Sequence, residues 1–261
     1  MCKGTTEDGT YTPDVKASFF KQLYYLVQRE CREVCRNKGA LIGRFGITIF
    51  LNLLYSLIFL GAGGKDDTDY SNFSSHFGAI YMVSISMMFG SATPIMLSFP
   101  FERPLFMREY ATGTYGSIAY FLAKLSMEMP LNFIQTACAY ALAYNLIEMN
   151  GLWIYFILTA WGLGLASGSL AVLLGCAVSD LKTVTELSPL LLVPQMLFAG
   201  FFIKTSQIPI FLRWAQYLCS LKYALNLILI IEFNPKNHNC SSTYTIFNIN
   251  MIFFLNFNFR L

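Results

Sequence analysis

The chain has 261 residues, of which 55% are hydrophobic and only 13% are charged. Soluble globular domains carry about 25% charged residues, so about half of the usual charge is missing. This composition excludes a disordered or collagen-like protein, and a net charge of +3 is too small to indicate a nucleic-acid partner. The sequence therefore predicts an all-α integral membrane protein that does not bind nucleic acid.

Five apolar stretches are long enough to be membrane-spanning helices, since about 20 residues cross a hydrocarbon core of about 30 Å. The predicted spans are residues 41–60, 78–99, 129–147, 152–178 and 187–203. A further apolar region, 208–231, is interrupted by four polar side chains: Arg213, Gln216, Lys222 and Asn226. Because lipid cannot satisfy so many polar groups, this region is predicted to be a re-entrant helical hairpin.

Lysine and arginine residues are concentrated on one side of the predicted spans. Eleven lie before the first span and after the second and fourth, against five on the opposite side. Because cytoplasmic loops carry this excess, the N-terminus is predicted to be cytoplasmic, with residues 1–16 as a polar tail. Two glycosylation sequons, at Asn72 and Asn239, fall on the side predicted to be external. We expect a multi-pass protein of the plasma membrane.

Residues 17–39 predict an amphipathic helix at the cytoplasmic surface. Its apolar side chains recur at helical spacing: Phe20, Leu23, Tyr24, Val27, Cys31, Val34 and Cys35. Charged side chains, including Arg29, Glu30 and Arg36, occupy the opposite face. The pattern alone favours a basic helix lying along anionic lipid. The alternative is a lever that connects a cytoplasmic domain to the first span.

Catalytic and metal sites find little support in the sequence. The two histidines, His76 and His238, are predicted to lie in loops without a second metal ligand at useful spacing. Glu102 and Glu109 are seven residues apart beside arginines, which favours ion pairs over paired catalytic carboxylates. The chain contains no Walker loop to hold a nucleotide phosphate. We therefore expect neither a catalytic site, a metal site nor a cofactor in this chain.

Two further patterns concern the spans themselves. Small residues in the fourth span are predicted to permit close helix packing: Gly162, Gly164, Gly168 and Gly175. Lys124 and Glu128 are four residues apart before the third span, which places both on one helix face. Their position near the boundary predicts that they snorkel to the cytoplasmic interface.

Three segments of the chain carry the motifs of a known family. They are FERPLFMREYATGTYGSIAYFLAK (101–124), MLFAGFFIKTSQIP (196–209) and FLRWAQYLCSLKYALNLILIIEF (211–233). They resemble the coupling segment, the end of the fifth span and the external re-entrant segment of the G subfamily (White type) of ATP-binding-cassette transporters. The match extends over about residues 17–235. It implies the type-two transmembrane fold of these transporters and a homodimer or heterodimer of two membrane halves.

The resemblance also implies parts that these 261 residues do not contain. In the family, a nucleotide-binding cassette hydrolyses ATP with Mg, so we expect a cassette encoded upstream in the same gene or on a separate chain. The family has a sixth span, whereas residues 236–261 are expected to be an external loop and an atypical, truncated tail. The last 16 residues would reach about 24 Å as a helix, short of the hydrocarbon core.

Site residues follow from the resemblance, position by position. Contacts with the cassette are expected from Glu102, Phe106, Arg108 and Glu109. A substrate cavity on the two-fold axis is expected from Tyr81, Ile85, Ser86 and Phe89, which share one face of the second span, and from Pro189, Val193 and Met196 of the fifth. An apolar outer gate is expected at Phe201 and Phe202. Cys240 matches an external loop that holds disulfides, and its partner is expected either within the chain or across the dimer.

The leading functional hypothesis is the transmembrane subunit of an ATP-driven exporter. It would move lipids, sterols or amphipathic small molecules by alternating access between two conformations. The alternative is a truncated or non-transporting membrane subunit that only binds partners. An intramembrane enzyme is the third class considered, and no buried catalytic pair in the sequence supports it.

Overall fold

The computed structural model describes residues 18–63, 70–149, 151–178, 180–200 and 210–233, including all of their side chains except those of 70–73 and 210–213. Within these ranges the chain is helical, which confirms the all-α prediction. The α-helices are α1 (Phe19–Arg36), α2 (Lys38–Ile58), α3 (Tyr70–Ala111), α4 (Ser117–Ile147), α5 (Trp153–Ala177), α6 (Leu181–Phe198) and α7 (Ser220–Glu232). A 3₁₀ helix, Ile210–Leu218, precedes α7 inside the predicted re-entrant region.

Three helices of the described chain are long and apolar enough to cross a membrane: Lys38–Ile58, Ser74–Ala111 and Trp153–Ala177. They correspond to the predicted first, second and fourth spans. The predicted third and fifth spans fall in α4 and α6, which are helical but less apolar. The membrane fold is confirmed by the apolar helices, while the crossing of α4 and α6 stays a prediction.

The predicted helix 17–39 ends early, at a break that separates α1 from α2. Asn37 lies at this break, and its side-chain oxygen accepts a hydrogen bond from the backbone N–H of Ala40 at 3.3 Å. Its own backbone N–H donates to the carbonyl of Glu33 at 2.9 Å. Asparagine is a favoured N-cap because it satisfies a free N–H of the first helical turn. The chain therefore changes direction at one residue, and α2 begins directly after it.

α3 continues as one helix of 42 residues through Pro94, Pro100 and Pro104. The predicted span 78–99 lies inside this helix, which continues without a break through the coupling segment as far as Ala111. Proline removes one backbone N–H, but helices packed against neighbours tolerate the loss. Because 42 residues measure about 63 Å as a helix, α3 extends well beyond the hydrocarbon core.

Close packing of α3 against α5 forms the largest part of the core. Three of the four glycines predicted to permit close packing do so: Gly164, Gly168 and Gly175. A β-carbon at Gly175 would lie 2.8 Å from the ring of Phe99 on α3, closer than atoms can approach. Gly162 differs, since none of the described residues lies within 4 Å of its β-carbon position. The small-residue prediction is therefore confirmed for the three glycines on the buried face.

His76 lies buried in α3, so the prediction that it belongs to a loop was wrong. Its Nε2 is 3.1 Å from Oε1 of Glu232 on α7, and both side chains are 0% exposed. The two atoms are in contact, but their geometry is not that of an aligned hydrogen bond. The other oxygen of Glu232 accepts from the backbone N–H of Gly151 at 3.2 Å. This pair ties α3, α7 and the α4–α5 connection together at the predicted external end.

Candidate functional site

A small core separate from the main one joins α1, the end of α3 and the start of α4 at the predicted cytoplasmic end. We call this region the junction. Its buried side chains are Leu26, Tyr115, Ala119 and Ala123, and its partly buried ones are Leu23, Val27, Phe106 and Tyr120. The rings of Phe106 and Tyr120 are 4.7 Å apart. Apolar burial at these three elements brings their charged neighbours within reach of one another.

The first ion pair of the junction connects α1 to α3. Nη1 of Arg29 lies 3.0 and 2.8 Å from the two carboxylate oxygens of Glu109. The hydroxyl of Tyr115 donates to the same carboxylate at 2.6 Å. Burial alone raises the pKa of the Glu109 carboxyl, but the hydrogen bonds from Arg29 and Tyr115 outweigh it and hold the pKa below its usual value. Glu109 is therefore a charged anchor for α1.

The second cluster places one ammonium between two carboxylates. Nζ of Lys124 on α4 lies 3.1 Å from Glu30 of α1 and 2.6 Å from Glu102 of α3. The Tyr120 hydroxyl also donates to Glu102, at 3.3 Å. Burial lowers the pKa of Lys124, but the carboxylates of Glu102 and Glu30 outweigh it and raise the pKa. Lys124 is therefore held by carboxylates of two other helices, and it shares one face of α4 with Glu128, as predicted, because both line one cavity.

Glu128 instead pairs with Arg44 of α2, an interaction that sequence analysis missed. Nη1 of Arg44 lies 2.7 Å from Glu128, and Nε donates to Gln135 at 2.8 Å. Gln135 in turn donates to Thr48 at 2.8 Å. The available signal is the polar stripe of α2, which repeats every four residues: Arg44, Thr48, Asn52 and Ser56. Spacing of four places such side chains on one helix face, here the face toward α3 and α4.

The predicted coupling residues occupy two different environments. Glu102, Phe106 and Glu109 are partly buried and contact α1 or α4. Arg108 is exposed on the opposite side of the helix. The structure thus brings three of the four predicted residues into the junction and leaves one facing outward. Contact of any of them with a cassette stays a prediction.

α1 packs against the protein through Leu26, together with Leu23 and Val27 of the predicted apolar stripe. Leu26 and Glu30 are its buried residues, although Glu30 belongs to the predicted charged face. Phe20, from the predicted apolar stripe, is 78% exposed, and Tyr24 is 65% exposed. The reason is that Lys124 and Arg29 compensate the charge of Glu30, while aromatic side chains remain on the outer surface. α1 therefore has one face toward the protein and one apolar face that suits lipid.

The predicted cavity residues do not share one surface. Tyr81 is fully buried, and its hydroxyl donates to the carbonyl of Met196 on α6 at 3.0 Å. Ser86 is buried and accepts from the amide of Asn52 at 2.9 Å. Ile85 and Phe89 are only partly buried, and Pro189 and Val193 are exposed on α6. The helices α3 and α6 do meet, as predicted, but Tyr81 faces the interior of this subunit, whereas Ser86 and Phe89 line a groove between α2 and α3.

Several predicted features lie outside the described residues. These are the gate residues Phe201 and Phe202, the sequon at Asn239, Cys240 and the segment 236–261. Asn72 lies in the first turn of α3. Among the residues that the structure describes, no group of three or more His, Cys, Asp or Glu side chains is arranged to hold a metal ion.

Comparison with known proteins identifies the family. The profile of the family described as ABC-2 type transporter matches residues 21–233. Protein white of Ceratitis capitata is 30% identical over 93% of this chain, and protein white of Drosophila melanogaster is 28% identical over 88%. The broad substrate specificity ATP-binding cassette transporter ABCG2 of Rattus norvegicus is 24% identical over 90% of the chain. The chain spans about a third of the length of these relatives, 36%, 34% and 37% respectively.

These matches confirm the resemblance to the White-type G subfamily, and they fall on the segment that forms α1 to α7. The matched residues include the junction, the small-residue packing of α3 against α5 and the predicted re-entrant region. Since the family profile covers most of the chain, the protein belongs to the ABC-2 type transporter family as a membrane domain.

Proposed function

We propose that the protein is the transmembrane subunit of an ATP-driven exporter that works as a homodimer or heterodimer. It takes its energy from a nucleotide-binding cassette that hydrolyses ATP with Mg. Lipids, sterols or amphipathic small molecules are exported across the plasma membrane, with the N-terminus in the cytoplasm. Family membership supports the transport role, and the aromatic and apolar character of the spans supports an amphipathic substrate.

The observation that carries the proposal is the position of Glu109, which belongs to α3 and forms an ion pair with α1. Glu109 lies in the part of α3 that extends beyond the predicted span. Arg29 of α1 donates hydrogen bonds to both of its carboxylate oxygens. α1 leads into α2 through the single residue Asn37, while α3 is continuous. A movement of the junction would therefore be transmitted to two spans, α2 and α3. A change in the cassette would shift the balance between inward-open and outward-open conformations, to which substrate binds differently.

Reversal of charge at Glu109 tests this coupling. In the Glu109→Lys variant, an ammonium faces the Arg29 guanidinium, so the link between α1 and α3 is lost. We expect ATP-dependent uptake into vesicles to fall at least about tenfold, while ATP hydrolysis by the attached cassette and the surface level stay near normal. A loss of about 1.4 kcal/mol in coupling corresponds to that factor.

The exchange variant Arg29→Glu/Glu109→Arg is the matched control, because it restores opposite charges at the same two positions. It should recover a substantial part of the uptake. Unchanged transport by Glu109→Lys would remove the junction from the mechanism. ATP-dependent uptake by the wild-type dimer with its cassette would also reject the alternative that the chain only binds partners.

A second test addresses the substrate cavity at Phe89. This side chain is partly buried on α3 and remains accessible from one side, as an aromatic wall of a two-fold cavity requires. Phe89→Ala should raise the substrate concentration for half-maximal ATPase stimulation about fivefold, since an aromatic contact contributes about 1 kcal/mol. The control is Phe50→Ala, at a 62% exposed phenylalanine of α2. Loss of folded protein with normal substrate affinity would identify Phe89 as core.

A further inference from the structure

Two adjoining cavities meet at Arg44, and their walls differ in chemical character. The first, which we call the acidic chamber, has a volume of about 140 Å³ and lies among α1, α2, α3 and α4. The second, which we call the apolar groove, has a volume of about 480 Å³ and lies between α2 and α3. Both are lined by the same five residues: Asn37, Ala40, Arg44, Pro94 and Ser98. They form one continuous amphipathic site.

The acidic chamber carries more carboxyl groups than cations. Among the described residues, its walls carry four carboxyl groups, those of Glu30, Glu33, Glu102 and Glu128, and two cations, Lys124 and Arg44. Burial raises the pKa of Glu102 even though Lys124 opposes the shift. Glu33 is exposed, and no ion pair in the described structure includes it. A further cation in the chamber would relieve this excess of carboxylates.

Arg44 stands at the boundary between the two cavities with an unused donor. Its side chain is only 8% exposed, and its Nη1 and Nε are bound to Glu128 and Gln135. Within the described part of the protein, its buried Nη2 has no hydrogen-bond partner. A buried donor without a partner is costly, and guanidinium groups bind phosphate oxygens strongly. The boundary is therefore suited to a phosphate group.

The apolar groove has the opposite character. Its walls include Ile47, Leu51, Phe89 and Leu97, and Ile47 and Leu97 are exposed at its edge. An opening of this kind toward the lipid admits an acyl chain from the side. The groove runs from Arg44 toward the middle of α3, where Ser86 lines its far end.

The order of the walls matches one class of molecule. In a zwitterionic phospholipid, the acyl chains are followed by a phosphate and then by an ammonium group. In this site, the apolar groove is followed by the guanidinium of Arg44 and then by the carboxylates of the acidic chamber. Quaternary ammonium groups are recognised by aromatic cages, whereas none of the described chamber walls is aromatic. Carboxylates accept hydrogen bonds from a primary ammonium. We propose that this site binds one phosphatidylethanolamine molecule of the cytoplasmic leaflet, with its phosphate at Arg44 and its ammonium in the acidic chamber.

This inference rests on the proposed function and deepens it, because Ser86 and Phe89 of the expected substrate cavity line the same groove. Lipid retention itself requires neither a cassette nor transport. The test uses the full chain, purified after incorporation into bilayers of equimolar phosphatidylethanolamine and phosphatidylcholine. Native mass spectrometry then measures the lipid that remains bound. We expect one retained phosphatidylethanolamine per chain, enriched about fivefold or more over phosphatidylcholine. A loss of transport activity would not affect this measurement.

Two pairs of variants locate the site. Gly43 lines the groove, and no described atom lies within 4 Å of its β-carbon position, so Gly43→Leu can place a side chain in the groove. Gly46→Leu is the control, since Gly46 is equally open on the same helix. For the headgroup, Glu33→Gln should reduce the preference for phosphatidylethanolamine, while Glu186→Gln, at an exposed glutamate of α6, should not. We expect Gly43→Leu to reduce the retained lipid at least about fivefold.

Four results would overturn the proposal. The first is retention of the two lipids in the same proportion as in the bilayer, and the second is a preference for an anionic lipid over phosphatidylethanolamine. The third is equal retention of lipid by Gly43→Leu and Gly46→Leu. The fourth is a groove that contains no lipid and is covered by a second copy of the chain. Water-soluble glycerophosphoethanolamine serves as a competitor in the last experiment. It lacks the acyl chains, so it should not displace the lipid; complete displacement at equal concentration would show that the groove contributes nothing.

Discussion

Replacement of Glu232 by leucine is expected to lower the free energy of unfolding by about 1–3 kcal/mol, the usual cost of leaving a buried polar group without its hydrogen-bond partner. The substitution leaves His76 buried without its partner and removes the acceptor of the Gly151 N–H. Both side chains are fully buried, so water cannot replace the lost contacts. Thermal unfolding of the detergent-solubilised protein, followed by size-exclusion chromatography, measures the effect.

The double variant His76→Leu/Glu232→Leu separates the loss of the pair from a general loss of packing. Apolar replacement of both partners of a buried pair is often close to neutral, so it should recover a large part of the stability. Glu186→Leu, at an exposed glutamate, serves as the surface control. If Glu232→Leu is as stable as Glu186→Leu, the pair does not hold α7 against α3.

Replacement of Gly175 by valine is the second substitution with a large expected effect. The first added carbon would lie 2.8 Å from the ring and 3.1 Å from the β-carbon of Phe99, so α3 and α5 must move apart. Overpacking of this kind costs about 1–3 kcal/mol. The yield of monodisperse protein and its thermal stability in detergent should both fall.

Gly162→Val is the matched control for that substitution. Both glycines belong to α5, so both variants undergo the same small change in helix propensity, which favours valine over glycine. No described atom lies within 4 Å of the β-carbon position of Gly162. Gly162→Val should therefore remain close to wild type. Equal destabilisation by the two valines would mean that the α3–α5 contact at Gly175 does not account for the loss.

In the junction, α1 has one face toward the protein and one face exposed, and its ion pairs connect it to both α3 and α4. α1 contacts α4 through its buried face and exposes Phe20 and Tyr24 on the other. The lipid-facing interpretation and the lever interpretation of this helix are therefore compatible, since they concern opposite faces. Arg29 and Glu30 bind different partners, Glu109 and Lys124, so a rotation of α1 would disturb two ion pairs at once.

Hydrophobicity by itself determined the class of the protein and the positions of its helices. Apolar runs of about 20 residues have few stable forms in a membrane other than helices. The predicted spans 41–60 and 152–178 accordingly coincide with α2 and α5 to within three residues at each end. The family motifs can also be recognised from the sequence alone, because they are short local segments whose order does not depend on the fold.

Tertiary structure decided which polar groups meet. Lys124 and Glu128 are close in sequence, yet they pair with Glu102 and Arg44 on other helices. Helix continuity through Pro104 likewise depends on neighbours that the local sequence does not contain. Local spacing places residues on a helix face, but only the packing of helices selects the face that is buried. The burial of Glu30 against Lys124, instead of the apolar Phe20, follows from that choice.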